Sequence, residues 1–313
     1  MNSLALKLPY ESTNGLKYED WQHARRHYLG GSEIAAIMGK NPYKTALQVW
    51  KEKTGQFTPQ IDSGIMEFGR DFEPIMASKF SDVTGLKVHQ DYKIRFHKHN
   101  PFLRANLDRV IVSSEKHPSP GVLELKTTNS FSVREWTEEI PLTWLYQIQF
   151  YLMITGYSYA YLYVYERDTC KYHFPKYIER DEALIQELEY EAVQFWTQHV
   201  EANIPPEPVN NEDVLLLYPD ARQGKTAAQT SLVGYADYSE LKRLKSEQKE
   251  LAEHVSALEL KLKLEIGDAE QLFWKQELLC SWKNVTQRRF DGKSFQEQDT
   301  EYYDSFLKPT TYR

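Results

Sequence analysis

The chain has 313 residues, a formal net charge of −7, 41% hydrophobic residues and 13% aromatic residues. This composition excludes an intrinsically disordered chain, and the length favours one large domain with appendages.

No apolar run reaches the length of a spanning helix, so no membrane partner is expected. The two cysteines, Cys170 and Cys280, lie far apart, which excludes a disulfide framework, a zinc cluster and an iron–sulfur site. The N-terminus lacks a signal-peptide pattern, which favours a cytoplasmic protein.

Charge is distributed unevenly along the chain. Residues 181–207 contain seven acidic residues and no Lys or Arg, as expected for a solvated outer helix. Residues 87–109 contain six Lys or Arg residues against two acidic residues, a local charge of +4. The net charge argues weakly against a nucleic-acid partner, but the distribution of charge matters more than its sum.

Hydrophobic periodicity and turn residues predict elements of both kinds. Helices are predicted over 16–28, 33–38, 45–53, 64–84, 131–137, 142–155 and 181–203. Strands are predicted over 86–97, 103–113 and 121–127, followed by a hairpin over 159–177. This order predicts an α/β fold with a mixed central β-sheet flanked by helices.

The proline-rich run 204–208 marks a domain boundary. It separates a first domain, 1–207, from a C-terminal extension, 208–313, with a helical and β-hairpin character. The extension is predicted to contain a long amphipathic helix over 236–265, a strand pair within 270–290 and a tail.

Apolar residues in the long helix recur at alternating steps of three and four residues. They are Leu241, Leu244, Leu251, Val255, Leu258 and Leu262, with Gln248 as the one polar break. This spacing is typical of a coiled-coil seam. Two interpretations stay open: the helix packs on its own domain, or it mediates self-association.

Two carboxylates and a lysine form a candidate metal site. Polar and apolar residues alternate over 121–126, so Glu124 and Lys126 should project from one face of a strand and the adjacent leucines from the other. Asp108 lies on the neighbouring strand. Mg²⁺ takes one or two protein carboxylates, so Asp108 and Glu124 would bind it, with the carbonyl of Leu125 as a neutral ligand. Lys126 would orient or deprotonate the attacking water. A solvated strand face would show the same acid–x–base pattern.

Three further polar side chains lie on helices that should pack against this sheet. Glu73 lies beside an apolar stripe formed by Phe72, Ile75, Met76 and Phe80. A partly buried glutamate needs a partner, such as a metal or its waters, although a surface glutamate is equally compatible with the pattern. Gln147 and Gln149 lie in an apolar helix, where an amide either faces the site or bonds the backbone.

A second cluster has the outline of an anion site. Arg25 and Arg26 precede the turn Gly30-Gly31, and Ser32 is predicted to cap the helix that follows. Exposed amides, a hydroxyl and a guanidinium would bind phosphate. An ordinary capped helix with solvated arginines would show the same residues.

The combined motifs resemble the phage recombinases of the YqaJ type, in the lambda-exonuclease branch of the PD-(D/E)XK nucleases. The resemblance covers about residues 20–200 in motif order and spacing. Its main motifs are 30–39, 41–43, 68–74, 124–126 and 146–149. It implies a PD-(D/E)XK nuclease core for the first domain.

The resemblance also assigns roles to individual residues. It implies that Asp108, Glu124 and Lys126 are the catalytic metal-site residues and that Glu73 and Gln147 support them.

Arg25 and Ser32 would bind the terminal 5′-phosphate of DNA, with Arg26 close enough to substitute for Arg25. The chain departs from the family at two positions. Leu107 replaces a proline, and Asn106 replaces a hydroxyl residue that helps hold the phosphate in lambda exonuclease.

The implied function is a Mg²⁺-dependent exodeoxyribonuclease, with Mn²⁺ as a substitute cofactor, that digests the 5′-ended strand of linear duplex DNA. Its 3′ single-stranded product would serve phage or prophage recombination in a bacterial cytoplasm. The implied partners are DNA ends, a single-strand annealing protein and further copies in a ring-like homo-oligomer. The alternatives are an endonuclease or restriction-type nuclease with the same site, and a non-catalytic DNA-binding module. The intact set of Asp108, Glu124 and Lys126 argues against the last.

Overall fold

The computed structural model describes residues 10–12, 18–56, 64–134, 139–220, 230–286 and 291–307. The chain divides into two compact units, Met1–Leu217 and Tyr218–Arg313. None of the described helices combines the length and apolarity needed to cross a membrane.

The first unit contains both helices and strands. Its helices are α1 (Tyr18–Arg25), α2 (Gly31–Ile37), α3 (Ala46–Lys53), α4 (Gly64–Thr84), α5 (Ser130–Arg134), α6 (Leu142–Thr155), α7 (Glu182–Phe195), which continues into the π-helical turn Trp196–Glu201, and α8 (Asn211–Leu217). Its strands are β1 (Tyr10–Ser12), β2 (Leu29–Gly30), β3 (Val88–His89), β4 (Lys93–Phe96), β5 (Leu103–Asn106), β6 (Arg109–Ile111), β7 (Gly121–Thr128), β8 (Tyr159–Glu166), β9 (Lys171–Tyr172) and β10 (Lys176–Glu179). The unit is therefore α/β, as predicted.

The strands form two mixed sheets. The smaller sheet has the order β1-β4-β5-β2, with β2 parallel to β5 and the other pairs antiparallel. The larger sheet has the order β10-β8-β7-β6-β3, and β9 also pairs with β8. In it β7 and β8 run parallel, from Val122 opposite Ala160 to Thr128 opposite Glu166, while the other pairs are antiparallel. This parallel pair forms the centre of the larger sheet.

Both faces of the larger sheet are covered, because apolar residues occupy both sides of β7 and β8. Val122 and Leu162 pack in the core that includes helix α6. Leu123 and Leu125 pack instead with Phe80 of α4. The two-residue period of the strand therefore directs the leucines to α4 and the intervening Glu124 to the α6 face, which confirms the predicted alternation.

Two of the predicted strands are each divided between the two sheets. The predicted strand 86–97 is interrupted after His89 and gives β3 and β4, and the predicted strand 103–113 is interrupted after Asn106 and gives β5 and β6. The chain changes sheets at both interruptions. Near the first, the carboxylate of buried Asp91 accepts two hydrogen bonds from the Arg95 guanidinium, at 2.7 and 3.1 Å. The second interruption contains Asp108.

The predicted hairpin 159–177 has an interrupted return arm. Strands β9 and β10 both pair with β8, and the segment between them contains Pro175, which has no N–H to donate to the ladder. The return arm extends to Glu179, beyond the predicted end. Of the predicted helix 131–137, the structure describes Ser130–Arg134, and residues 135–138 lie outside the described residues.

The first compact unit continues past the proline-rich run. The predicted boundary follows residue 207, whereas the unit extends to Leu217. Asp213 on α8 is fully buried, and its carboxylate accepts hydrogen bonds from the Thr45 hydroxyl at 2.7 Å and from the Val209 amide at 3.1 Å. A buried carboxylate with these partners attaches α8 to the first unit, which composition around the prolines does not reveal.

The second unit consists of a long helix, a two-stranded sheet and two short helices. They are α9 (Leu232–Ile266), β11 (Gln271–Trp274), β12 (Glu277–Ser281), α10 (Gly292–Gln298) and α11 (Thr300–Ser305). Helix α9 includes the whole of the predicted helix 236–265. The strand pair predicted within 270–290 ends at Ser281.

Candidate active site

Asp108 and the Glu124–Lys126 run meet because β6 pairs with β7. The register aligns Arg109 with Leu123, so Asp108 lies where the chain enters the larger sheet. The backbone N–H of Leu125 donates a hydrogen bond of 2.8 Å to Asp108 Oδ2. The change of sheet between β5 and β6 therefore places one carboxylate against the backbone of the strand that carries the other.

Glu124, Lys126 and Gln147 form one hydrogen-bonded group. Lys126 Nζ lies 2.7 Å from Glu124 Oε1 and donates a hydrogen bond of 3.0 Å to Gln147 Oε1. Gln147 Nε2 donates at 2.7 Å to Glu124 Oε1 and at 2.9 Å to the hydroxyl oxygen of Tyr151. The amide thus fixes both charged side chains, which distinguishes Gln147 from a glutamine that only bonds the backbone.

The other predicted amide, Gln149, has a structural role. Its Nε2 donates to the carbonyl of Glu179 at 2.7 Å, and its Oε1 accepts from the N–H of Asp181 at 3.0 Å. Gln149 therefore joins α6 to the segment before α7, and only Gln147 faces the site.

One oxygen of Glu124 has no protein partner. Glu124 is 1% exposed, and its Oε2 is buried without a hydrogen bond from any described residue. A buried carboxylate oxygen in this position is costly unless an ion or water binds it. The carboxylates of Asp108 and Glu124 with the Leu125 carbonyl would supply hard oxygen ligands, which suit Mg²⁺. Among the described residues, no group of three or more His, Cys, Asp or Glu side chains could hold a metal, so such an ion would keep several waters.

The charges of the site favour an added cation. Burial and the neighbouring Asp108 carboxylate raise the pKa of Glu124 to about 8. Burial also raises the pKa of Asp108, although Lys126 opposes the shift. Burial would lower the pKa of Lys126, but Glu124 and Asp108 outweigh it and raise that pKa. The two carboxylates therefore carry more charge than the one ammonium of Lys126, and a bound cation would stabilise their ionised forms.

Glu73 joins this group through Arg109. Arg109 Nη1 lies 3.3 Å from Glu73 Oε2 and donates at 2.5 Å to the carbonyl of Asp108. Burial and Asp108 raise the pKa of Glu73 to about 7. The structure thus places Glu73 beside the site. The predicted apolar stripe of α4 is wrong at Ile75, which is 49% exposed, because the helix turns that residue away from the sheet.

The predicted anion cluster is assembled, with one correction. Arg25 Nη2 donates a hydrogen bond of 2.7 Å to Ser32 Oγ. Ser32 is not the cap of α2: Gly30 occupies that position, and the N–H of Gly30 donates to Glu33 Oε2 at 2.8 Å. The carboxylate of Glu33 therefore accepts the hydrogen bond of the N-cap amide. The hydroxyl of Ser32 does not cap the helix and accepts a hydrogen bond from Arg25 instead.

Asn106 and Arg26, the other two predicted DNA-binding residues, are not part of the hydrogen bond between Arg25 and Ser32. Asn106 Oδ1 accepts a long hydrogen bond of 3.5 Å from the hydroxyl of Tyr28, whose ring lies 4.9 Å from the Arg104 guanidinium carbon. Arg26 follows the end of α1 and is half-buried, and within the described ranges its side chain does not hydrogen-bond to Ser32. The structure brings Arg25 and Ser32 together but not Arg26.

Sequence reasoning missed Tyr151, which lies between the two clusters. It is one helical turn after Gln147, so the two side chains share a face of α6. A Cβ atom on Gly31 would lie 2.7 Å from Tyr151 Cε1 and 3.1 Å from the carbonyl oxygen of Gln147. The i, i+4 spacing was the available signal. Glycine at position 31 allows α2 to approach α6, which brings the Arg25 cluster close to the candidate metal site.

Sequence reasoning also missed an ion pair behind Arg25. Lys53 Nζ donates hydrogen bonds of 2.7 Å to Glu33 Oε1 and to the carbonyl of Arg25. Arg25 Nη2 lies 3.4 Å from the same Glu33 oxygen. Lys53 and Glu33 are far apart in sequence, so no local pattern predicts their contact.

Comparison with known proteins identifies relatives of this chain. Residues 20–158 match the model of the YqaJ-like viral recombinase domain. The uncharacterized protein YqaJ of Bacillus subtilis (strain 168) is 30% identical over 301 residues, which cover 94% of this chain and 92% of the relative.

Two solved structures of exonucleases resemble part of this chain. The alkaline exonuclease LHK-Exo of Laribacter hongkongensis is 25% identical, with a TM-score of 0.49 over 59% of this chain and 94% of that one. A phage-related exonuclease from Haemophilus somnus 129PT is 16% identical, with a TM-score of 0.43 over 58% of this chain and 99% of that one.

The match to the Bacillus protein spans most of both chains and includes the region that matches the domain model. This long match shows that the chain belongs to the YqaJ family.

Proposed function

We propose that this protein is a Mg²⁺-dependent exodeoxyribonuclease that digests the 5′-ended strand of linear duplex DNA. The observation that carries the proposal is the buried, unpartnered Oε2 of Glu124 beside Lys126 and Asp108. Carboxylates that need a cation, next to a fixed ammonium, are the groups that metal-assisted phosphodiester hydrolysis requires. Mn²⁺ would substitute for Mg²⁺ because the same oxygen ligands bind it.

Each side chain has a distinct part in this chemistry. Asp108, Glu124 and the Leu125 carbonyl would hold the ion, which when bound activates a water and offsets phosphate charge. The neighbouring carboxylates favour the charged form of Lys126, so the lysine would orient the water and stabilise the negative charge that develops on the phosphate. Gln147 would hold the side chains of Lys126 and Glu124 in fixed positions through one hydrogen bond to each.

Glu73 would act through its partner rather than on the reacting atoms. Arg109 contacts both the Glu73 carboxylate and the Asp108 carbonyl, and so links α4 to the turn that presents Asp108. Loss of the Glu73 carboxylate would release Arg109 beside the site. Glu73 is therefore a positioning residue in this proposal.

The Arg25 cluster would bind the 5′-phosphate of the strand end. Arg25 is half-buried and already donates to the Ser32 hydroxyl, so a guanidinium and a hydroxyl are held in one place. Charge-assisted hydrogen bonds of this kind suit a phosphate. Asn106 would extend the cluster from β5, and Arg26 would add positive charge without a direct contact.

The family supports a biological setting for this activity. The match to the YqaJ-like viral recombinase domain supports a role in phage or prophage recombination, which we place in a bacterial cytoplasm. DNA ends would be the substrate, and the 3′ single strand would pass to a single-strand annealing protein. A ring-like homo-oligomer around the DNA belongs to the same proposal.

Digestion of end-labelled duplex tests the proposal. Linear DNA labelled at either the 5′ or the 3′ end should release 5′ label as mononucleotide, with Mg²⁺ and not with EDTA. Covalently closed circular DNA should stay intact, because an exonuclease has no end to enter. Cleavage of the circle would indicate an endonuclease instead, and digestion that persists in EDTA would contradict the metal site.

A further inference from the structure

An exposed apolar stripe runs along helix α9 of the second unit. Its residues lie at alternating steps of three and four, and we call them the seam: Leu241, Leu244, Gln248, Leu251, Val255, Leu258 and Leu262. The six apolar members are between 40% and 64% exposed. Contiguous apolar surface of this kind marks an interaction site in a soluble protein. The heptad spacing indicates which kind of partner binds the seam. A second helix with the same repeat can contact every member of it.

We propose that the seam binds the same seam of a second copy of this chain as a parallel, two-stranded coiled coil. Leucine occupies every d position of the repeat, at Leu244, Leu251 and Leu258. The a positions are Leu241, Gln248, Val255 and Leu262, so they include one β-branched and one polar residue. Leucine at d with a β-branched or polar residue at a favours two strands.

Gln248 determines the direction of the two helices. In a parallel pair each a position faces the same residue of the other copy, so the two Gln248 amides meet and hydrogen-bond each other. In an antiparallel pair with the same seam, Gln248 would face a leucine, Leu251 or Leu258 according to the alignment, and its amide would be buried without a partner. That burial costs free energy, so the parallel arrangement is favoured.

The charges beside the seam are compatible with the parallel pair. Glu240 would lie beside Lys245 of the second copy, and His254 beside Glu259 of the second copy. The two remaining flanking pairs each contain one apolar residue, so no like charges meet. Within the helix, Arg243 contacts Glu240 and Glu247 from the outer side. These exposed contacts contribute little to stability and leave the seam side of Glu240 accessible.

A matched pair of substitutions in the full chain tests this inference. Leu258 and Leu260 lie on the same helix and are each 59% exposed, but only Leu258 belongs to the seam. Leu258→Glu should halve the number of chains per particle measured by light scattering, whereas Leu260→Glu should leave it unchanged. Unchanged far-ultraviolet circular dichroism would show that both variants keep their helices. Equal particle mass for Leu258→Glu and the parent would overturn the inference, as would a fall to one third, which indicates three strands.

Disulfide capture tests the direction independently. In a chain that carries Cys170→Ser and Cys280→Ser, Gln248→Cys should form a disulfide between two copies on mild oxidation. Glu253→Cys, on the opposite side of the helix, should stay uncoupled. A Gln248→Cys chain that remains single on a non-reducing gel would contradict the parallel arrangement. This inference concerns assembly alone, so it holds or fails without regard to the proposed nuclease activity.

Discussion

Glu124 and Glu33 occupy similar surroundings and respond in opposite ways. Both are buried, at 1% and 4% exposure, and both lie 2.7 Å from a lysine Nζ. Yet the pKa of Glu124 is raised to about 8, by burial and Asp108, whereas that of Glu33 is lowered to about 2. Burial would raise the Glu33 pKa too, but Lys53 and Arg25 outweigh it.

The difference lies in the balance of neighbouring charges. Glu33 has a carboxylate between two cations and a hydrogen bond from Gly30, so its ionised form is fully compensated. Glu124 shares one ammonium with other carboxylates and keeps an oxygen without a partner. A perturbed pKa alone does not separate a structural pair from a reactive site. The two pairs differ in the direction of the pKa shift and in the unpartnered oxygen of Glu124, and for these reasons we assign the proposed cation site to Glu124 and not to Glu33.

The largest expected effect is on cleavage, through Glu124→Gln. The amide keeps the shape of the side chain but weakens metal binding, so Mg²⁺-dependent digestion should fall at least about 10³-fold. The metal-free protein should not lose stability, because the change removes a carboxylate whose ionised form is disfavoured in the fold. Nuclease rates and urea unfolding measure both. Glu179→Gln, at an exposed side chain of β10, is the control, and equal rates for the two variants would refute the comparison.

The second effect is on folding, through Glu33→Gln. Breaking a buried ion pair leaves Lys53 uncompensated and should lower the free energy of unfolding by about 3–5 kcal/mol. The loss should depend on pH. The folded-state pKa of Glu33 lies below its ordinary value of 4.5, so the wild-type stabilisation is present above that value and is lost as the pH falls towards 2.

Urea unfolding of wild type and Glu33→Gln at about pH 7 and about pH 3 measures this dependence. The gap between the two proteins should narrow at the lower pH. A gap that is constant with pH, or a Glu33→Gln protein as stable as wild type at neutral pH, would show that Glu33 is not the compensated member of the comparison.

A smaller effect concerns the choice of DNA end, through Arg25→Ala. Wild type should digest 5′-phosphorylated ends faster than 5′-hydroxyl ends, and loss of the guanidinium should remove a preference of roughly 10–100-fold. Arg26→Ala should keep the preference, because Arg26 does not contact Ser32 in the described part of the chain. Competition between the two DNA ends measures it. If Arg26→Ala loses the preference and Arg25→Ala keeps it, the assignment is reversed.

The smallest effect is expected for Tyr151→Phe. It removes the hydroxyl that accepts from Gln147 but leaves the bonds of Gln147 to Glu124 and Lys126. A loss of about 1 kcal/mol corresponds to a cleavage rate about 5-fold lower. Single-turnover cleavage rates measure this effect. The rate of Gln147→Ala serves as the comparison, because that variant lacks the whole amide. A rate equal to wild type would show that Tyr151 does not position the amide.

The sequence predicted which way the side chains of the site strand face better than it predicted where the neighbouring strands are interrupted. The alternation around Glu124 follows from the strand period, so the facing of Glu124 and Lys126 could be predicted. The interruption before Asp108 could not, because a change of sheet depends on pairing partners elsewhere in the chain. The contacts of Glu33 with Lys53 and of Arg109 with Glu73 likewise join distant segments and leave no local pattern.

Direct metal binding tests the central claim that Glu124 belongs to a cation site and Glu33 does not. Mn²⁺ titrated calorimetrically into the wild-type protein should bind, and Glu124→Gln should weaken that binding by more than about 10-fold. Glu179→Gln should bind as wild type does. The account predicts this contrast, and equal Mn²⁺ affinity in wild type and Glu124→Gln would contradict it.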